Sequence, residues 1–589
     1  MNNKISIKYI YNLLLKNKKE LIFGQIITII AIFISVPIPL LLPMLVDEIL
    51  LDKPNFLVPL VDKTFGVQDA FKYIVIVTVV VIFLRFMHYI FNIVITKIFT
   101  KISKIVIFDI RKKLLLHLKK VTINEYETLG SGRISSNLIT DINTLDAFIV
   151  SVSSKFLTSC LTLIAVAFVV IQIDLILGLM IVLIQPTIVL ISKSFAKKSA
   201  KLKKDENLSI ENFQNSLNET LNLFVQIKAS NKEKKFFNEA VLMAENIKIA
   251  SNNYNFKSVS FEKLSYTISL IAFEILRATG LLLVAYSDLS IGLMLAMFGY
   301  IWFIMTPIQD ILSIQYSLAN AKTAISRLNK ILDLKCEENG EIILDKKTKK
   351  VDILVKNLSF SYSNNKNVLK DISFEIKAGE KVAIIGASGS GKTTLSQIIA
   401  GFYTKSSGDI FYNNISIDKL DKSSLRDNIF LVLQMPILFN NTLRFNLTMG
   451  EDIPNEEILK ALKIAQLEDM FANLSDGLDT IVGKHGVRLS GGQRQRLSIA
   501  RMVLAKPNIV IFDESTSALD VKTEQKIFES LNQFLKDKTV ITVAHRLSTV
   551  KNSSKVFVIE DGFLVQNGTH EELESKKGYY SNFLQNQLV

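Results

Sequence analysis

IIGASGSGKTTL, running from Ile384 to Leu395, holds the form G-x-x-x-x-G-K-[ST] between Gly386 and Thr393. Glycine permits the backbone angles and the close approach that let successive N–H groups wrap phosphate oxygens. The helix expected to begin near Lys392 adds the positive end of its dipole. Gly386, Ser388, Gly389, Ser390 and Gly391 form the cradle, and Lys392 is placed to reach the β- and γ-phosphates of a nucleotide. Thr393 offers its hydroxyl to Mg²⁺, with Thr394 ranked behind it. Average residue usage yields this form by accident in roughly one chain of this length in fifty, so alone it decides little.

Four more signals follow in order: the lone Gln434, LSGGQ at Leu489 to Gln493, FDES at Phe512 to Ser515, and AHR at Ala544 to Arg546. Ile509 to Phe512 are apolar and lead into two acids, the pattern of a buried strand that ends at the nucleotide. Asp513 would hold Mg²⁺ directly or through water, and Glu514 would orient or deprotonate the attacking water. An apolar strand ending in two acids is ordinary by itself; beside a phosphate loop it is not. Ser490 and two glycines stand immediately before the helical run QRQRLSIARMVL, which makes an anion site at a helix N-terminus.

The rest of the chain is of another kind. Its 589 residues amount to about three to four domains. They are 49% hydrophobic, with a mean hydropathy of +0.31, and the apolar excess lies in the first 315. Runs long enough to cross a bilayer, about 20 residues each, can be drawn at Leu21 to Leu45, Tyr73 to Ile95, Phe156 to Ile171, Leu177 to Ile191, Ile268 to Ala285 and Ile291 to Ile311. That makes six spans. Long connections rich in lysine and arginine follow the second and fourth, as in Lys101 to Lys120 and Lys193 to Lys204, while the others are short or poor in positive charge. The positive-inside rule puts the basic connections, both termini and the phosphate loop in the cytoplasm, in a cytoplasmic membrane. The net charge of +14 fits basic residues bordering anionic lipid, and its spread along the membrane half argues against nucleic acid.

Met1 to Lys19 is polar and basic without a long apolar core, so no cleavable signal is expected. Within it, Ile5 to Leu15 reads either as a short amphipathic helix on the inner membrane surface or as an isolated amphipathic turn without function. Cys160 and Cys336 fall in different halves and give neither a disulfide framework nor a metal signature.

DIRKKLLLHLKKV and SLNETLNLFVQIKA carry apolar residues at helical spacing, so the membrane helices are expected to continue into the cytoplasm. They should reverse near Glu125 to Arg133 and near Leu221 to Val225, with Tyr126 and Phe224 exposed at turns that touch the ATPase. From Val351 strands alternate with helices. The expected organisation is a polytopic α-helical membrane domain at 1–330, a linker at 331–350, and an α/β P-loop nucleotide-binding domain at 351–589.

Taken together, these motifs make the chain resemble an ATP-binding cassette exporter of the half-transporter kind, six membrane helices followed by one nucleotide-binding domain, over nearly its whole length. The resemblance implies that Tyr362 stacks on adenine, a stray core tyrosine being the alternative. It implies that Gln434 contacts Mg²⁺ and the attacking water, that His545 is the switch histidine near the γ-phosphate, and that Ser517 and Asp520 lie in the loop crossing a dimer interface. Ser490, Gly491, Gly492 and Gln493 match the family signature, which in this family meets the phosphate loop of a second cassette. ATP and Mg²⁺ would then lie between two chains, a second copy of this one or a related half-transporter. The implied activity is ATP-driven export, or flipping between leaflets, of an amphipathic lipid, drug or peptide. The alternative is a nucleotide-gated channel or sensor, against which the intact Glu514 argues. One departure is visible: Gly483, Lys484, His485 and Gly486 stand where many such exporters carry Gly-Glu-Arg-Gly.

Ionisable residues inside spans are costly and therefore functional suspects. Arg85 and Glu274 each lie twelve residues in from the outer end of a span, about 18 Å deep at 1.5 Å per residue. Either they pair with each other, within or between subunits, or Glu274 pairs with Arg277 one turn along its own helix.

Overall fold

The computed structural model describes residues 4–53, 56–66, 69–347, 350–362, 367–434, 436–483, 489–514, 520–544, 547–576 and 578–588. Lys484, His485, Ser517 and His545 lie outside them. The chain forms two compact units: Met1–Leu118 with Gly132–Asp333, and Lys119–Ser131 with Leu334–Val589.

The first unit is helical. Among the described residues, Lys18–Leu50, Ala70–Leu118, Ser131–Ile173, Glu233–Tyr286 and Ile291–Ile311 are long and apolar enough to cross a membrane. The remaining expected span falls on the 48-residue helix Leu175–Asn222, whose apolar run Leu175–Ile184 is shorter. Glu233–Tyr286 has 54 residues. At 1.5 Å per residue that is about 80 Å, against a hydrocarbon core of about 30 Å, so most of it stands outside the bilayer. The breaks fall where the sequence pattern puts them. The short helix Ile123–Leu129 ends at Gly130, whose φ of +80° closes the turn, and Phe224–Ala229 begins after a break at Leu223. Tyr126 and Phe224 are both exposed.

Packing of the membrane unit centres on Val166, Val170, Leu177, Ile181, Leu276, Met297 and Tyr300. Pro37 and Pro39 disturb the first span, where Leu40 N–H turns to the carbonyl of Pro37. The Val36 carbonyl accepts instead from the buried Tyr300 hydroxyl at 2.7 Å, which ties the first span to the last. Near the end of the first span, in a π-helical turn at Val46–Leu50, the buried Glu48 accepts three backbone N–H groups from Phe56, Leu57 and Val58. It thereby satisfies the start of the helix Leu57–Phe65, whose first N–H groups have no partner within the helix.

The second unit is α/β. Its main sheet runs Phe563–Gly568, Lys555–Glu560, Lys381–Gly386, Thr539–Val543, Ile509–Asp513, Ile429–Val432. Every pair is parallel except the first. Covered on both faces, its strands read as continuous apolar runs, and all five residues of Ile509–Asp513 are buried. An antiparallel sheet of Asn367–Ile376, Ile353–Ser361, Ser407–Tyr412 and Ile415–Ser416 shares a core with it. The stretch read as a linker is tied down. Cys336 pairs with Val121, Ile342 with Leu420, and Glu337 meets Arg426 at 2.6 Å. Glu337 N–H also donates to the Lys120 carbonyl at 2.8 Å, so the turn Lys119–Ser131 is knitted to the chain that follows the last membrane helix.

Candidate functional site

Parallel pairing delivers the site. Ile559 stands opposite Gly386, and Asp513 opposite Val543, so the carboxyl ends of neighbouring strands meet at one edge of the sheet. Two glycines are required there. A Cβ on Gly386 would lie 2.1 Å from the Ile559 carbonyl oxygen. Gly391 has φ +101°, and a Cβ on it would lie 2.7 Å from Leu369.

Lys392 opens the helix Lys392–Ile399 and is 5% exposed. Its ammonium donates to the carbonyls of Gly386 at 3.0 Å and Ala387 at 2.8 Å. Burial lowers its pKa, and the nearby Glu514 and Asp513 carboxylates work the other way. Thr393 Oγ1 donates to Asp513 Oδ1 at 3.2 Å. The Ser390 hydroxyl is buried in the same loop without a hydrogen-bond partner among the described residues. A buried cation, an orphaned hydroxyl and a hydroxyl–carboxylate pair are the donor set that a phosphate chain with a divalent cation would satisfy.

Glu514 adopts φ +47°, unusual for a residue with a side chain. Its Oε2 accepts from Gln434 Nε2 at 2.7 Å, and the Gln434 carbonyl accepts from Gln495 Nε2 at 3.0 Å. The buried Gln495 lies on the helix Gly491–Ala505, so the expected catalytic acid is joined in two hydrogen bonds to the signature helix. Ser490 caps that helix. It accepts from Gln493 N–H at 3.1 Å while its own N–H donates to Gln493 Oε1 at 2.8 Å. Gly491 and Gly492 form its first turn. No described hydrogen bond joins Ser490 or Gln493 to the loop Gly386–Thr393. Asp520 serves as N-cap of Val521–Leu531, and its hydrogen bonds with Thr523 hold its carboxyl below the usual range.

Tyr362 is half-buried, and its hydroxyl lies 3.1 Å from Thr394 Oγ1. Its ring meets Phe360 and Tyr403 edge to face, with centroids 4.9 and 5.6 Å apart. Tyr403 donates to Glu127 of the short helix Ile123–Leu129 at 3.0 Å, and burial together with that carboxylate raises its pKa. Neither Tyr403, Glu127 nor Gln495 stands out in the sequence. Their significance lies in contacts 276 and 61 residues away, for which a single chain carries no local signal.

Within the chain Glu274 does not pair with Arg85. Its carboxylate meets Arg277 at 2.6 Å, because a three-residue step stacks both on one helical face. Both side chains are half-exposed on the helix surface, and pairing lowers the cost of carrying either charge inside a span. In transport assays we therefore expect Glu274→Arg to give no rescue of Arg85→Glu; restored transport in the double variant would establish a pairing across subunits.

Residues 21–308 match the family model of the ABC transporter transmembrane region and residues 369–517 that of the ABC transporter. YgaD of Bacillus subtilis (strain 168), which carries the name multidrug export ATP-binding/permease protein, is 31% identical over 485 residues, 81% of this chain and 83% of that one. A protein of Staphylococcus aureus (strain NCTC 8325) with the same kind of name is 33% identical over 491 residues, 82% and 84% of the two chains. The solved structure of a bacterial Atm1-family ABC exporter with ATP bound superposes with a TM-score of 0.83 over 97% of this chain and 98% of that one. At 21% identity this establishes the shared fold. With membrane helices and a nucleotide-binding domain on one polypeptide, the chain belongs to the ABC transporter family, as an ATPase that drives export.

Proposed function

We propose that two copies of this chain form a homodimer in the cytoplasmic membrane, with both termini and the nucleotide-binding domain in the cytoplasm. It exports an amphipathic substrate, or flips it from the inner to the outer leaflet. The observation that carries the reading is the bonded set Gln434–Glu514 beside Thr393–Asp513 and the buried Lys392. A device that only senses nucleotide has no use for a positioned base, and this disfavours the channel or sensor alternative.

Each residue has a task in the cycle. Lys392 and the loop N–H groups bind the phosphates, and Ser390 donates to them. Thr393, Gln434 and Asp513 would hold Mg²⁺, which supplies neutralisation of the phosphate charge when bound. Glu514 orients the attacking water and takes its proton, while Gln434 fixes the carboxylate. Ser490, Gly491, Gly492 and Gln493 of the second copy close over the phosphates, with His545, Ser517 and Asp520 completing the interface. Tyr362 covers the adenine. Helix Ile123–Leu129, held by Tyr403 and by the Val121–Cys336 pairing, is joined by short connections on either side to membrane helices Ala70–Leu118 and Ser131–Ile173. Cassette closure therefore acts on the membrane helices through the chain itself.

Several bacterial relatives carry multidrug export in their names, which supports amphipathic drugs as the first substrate class to test. In nanodiscs, we expect the ATPase rate of the purified chain to rise at least twofold with an amphipathic drug panel, and not with short peptides. A flat rate, equal to that of Glu514→Gln, would point to a required partner chain.

A further inference from the structure

The charged residues inside the six drawn spans are Arg85, Glu274, Arg277 and Asp310. Glu274 meets Arg277 at 2.6 Å, and Asp310 meets Lys155 at 2.7 Å. Arg85 makes no ion pair or hydrogen bond among the described residues. A guanidinium cannot shed its charge, and an unpaired charge against acyl chains is costly. Arg85 therefore needs a polar partner that its own chain does not supply.

The helix that carries it, Ala70–Leu118, presents three different faces within the span. Val77, Val81 and Ile95 are buried against the rest of the membrane unit. Val79, Phe83, Phe86, Ile90 and Ile93, at steps of four and three, form an exposed apolar stripe suited to lipid. Beside it runs a polar stripe. Thr78, Arg85, Tyr89 and Asn92 follow at steps of seven, four and three, the last three exposed and Thr78 half-buried. At 1.5 Å per residue this stripe covers about 21 Å of a hydrocarbon core about 30 Å thick. A charged stripe set off from the lipid-facing one lines a water-filled path.

His88 organises the inner part of that stripe. Its Nδ1 lies 3.2 Å from the Ala31 carbonyl of the first span, and its Nε2 lies 2.8 Å from Asn92 Nδ2. The tautomer protonated at Nδ1 satisfies both contacts. The ring thereby positions the Asn92 amide, whose second N–H is left for a ligand.

We propose that Arg85, with Tyr89 and Asn92 one and two turns further in, binds the anionic head group of an amphipathic cargo within the membrane. The planar guanidinium meets a carboxylate, phosphate or sulfonate with two parallel N–H bonds, and the Tyr89 hydroxyl and Asn92 amide add donors on the same side. This rests on the export reading above and narrows its cargo to anions.

The test uses two diazirine-bearing alkyl chains of equal length, one ending in a sulfonate and one in trimethylammonium. Each is photolysed with the full chain in phosphatidylcholine nanodiscs, and labels are mapped by mass spectrometry. The sulfonate should label the peptides around Arg85 saturably, with half-saturation at least about tenfold lower than the ammonium probe, the effect of one charge-assisted hydrogen bond. Arg85→Gln should abolish the preference, Arg85→Lys should keep part of it, and Arg85→Glu should reverse it. An unchanged ATP-induced rise in melting temperature shows that each variant is folded. Equal labelling by the two probes, or an Arg85→Gln chain that keeps the preference, overturns the site. So does restored transport in Arg85→Glu with Glu274→Arg, which would give Arg85 a protein partner instead. In discs with half the lipid replaced by phosphatidylglycerol, a weaker sulfonate half-saturation, beyond any change seen with Arg85→Gln, would assign the site to a lipid phosphate; an unchanged value would assign it to a non-lipid anion. The sulfonate probe should also raise the ATPase rate. Saturable labelling without that rise counts against the export reading and leaves the anion site standing.

Discussion

Glu514→Gln is expected to cut steady-state ATP hydrolysis by at least about 100-fold, within the range that general-base catalysis contributes, while leaving ATP binding intact. The replacement is nearly isosteric, and the new amide oxygen can still accept from Gln434 Nε2, so the hydrogen-bonded chain to Gln495 survives. What is lost is the negative charge that takes the proton of the attacking water. The variant should therefore accumulate ATP in a closed, substrate-occluded dimer, and ATP should raise its melting temperature at least as much as it raises that of the wild type. Filter retention of labelled ATP alongside phosphate release measures both halves. A variant that hydrolyses at more than a tenth of the wild-type rate would remove Glu514 from the role of base.

Lys392→Met should fail one step earlier. The ammonium is buried and makes charge-assisted hydrogen bonds, each of about 1.5 to 3 kcal/mol, which a thioether cannot replace. Loss of one such bond to the phosphates weakens nucleotide binding by about 10- to 150-fold. In the nucleotide-free protein the burial of the charged lysine, which lowers its pKa, and the loss of the donors to the Gly386 and Ala387 carbonyls oppose each other, so methionine should change the melting temperature without ATP little. Calorimetric titration together with thermal unfolding separates the two variants. Glu514→Gln keeps the ATP-dependent shift and loses turnover, whereas Lys392→Met loses both. A Lys392→Met chain that binds ATP normally would contradict the placement of Lys392 on the phosphates.

Local pattern carried the reading far in this chain because its parts are governed by short-range physics. A loop that must wrap phosphate needs glycine at Gly386 and Gly391, and a neighbouring atom would block a side chain at each. A strand buried on both faces must be apolar from Ile509 to Phe512, and one that ends at charge must end in Asp513 and Glu514. A bilayer imposes its thickness on any helix that crosses it, so the spans are visible as runs of composition, and the cytoplasmic extensions as runs of helical period. The turn at Gly130 is legible for the same reason, as a residue able to take a positive φ.

The three-dimensional arrangement decided everything that depends on which distant residues meet. That Gln495 backs Gln434, that Tyr403 binds Glu127, that Glu274 turns to Arg277 within its own chain, and that Asn329 holds Ile5 are outcomes of packing. So is the attachment of Lys119–Ser131 to the nucleotide-binding unit although membrane helices flank it on both sides. The sequence alone determined the chemistry, a nucleotide site fused to a membrane-crossing helical unit, because phosphate binding and bilayer crossing each constrain neighbouring residues along the chain. Only the tertiary structure decided how that chemistry is connected to movement, because a hydrogen bond between residues hundreds of positions apart leaves no period, run or spacing by which either partner could name the other.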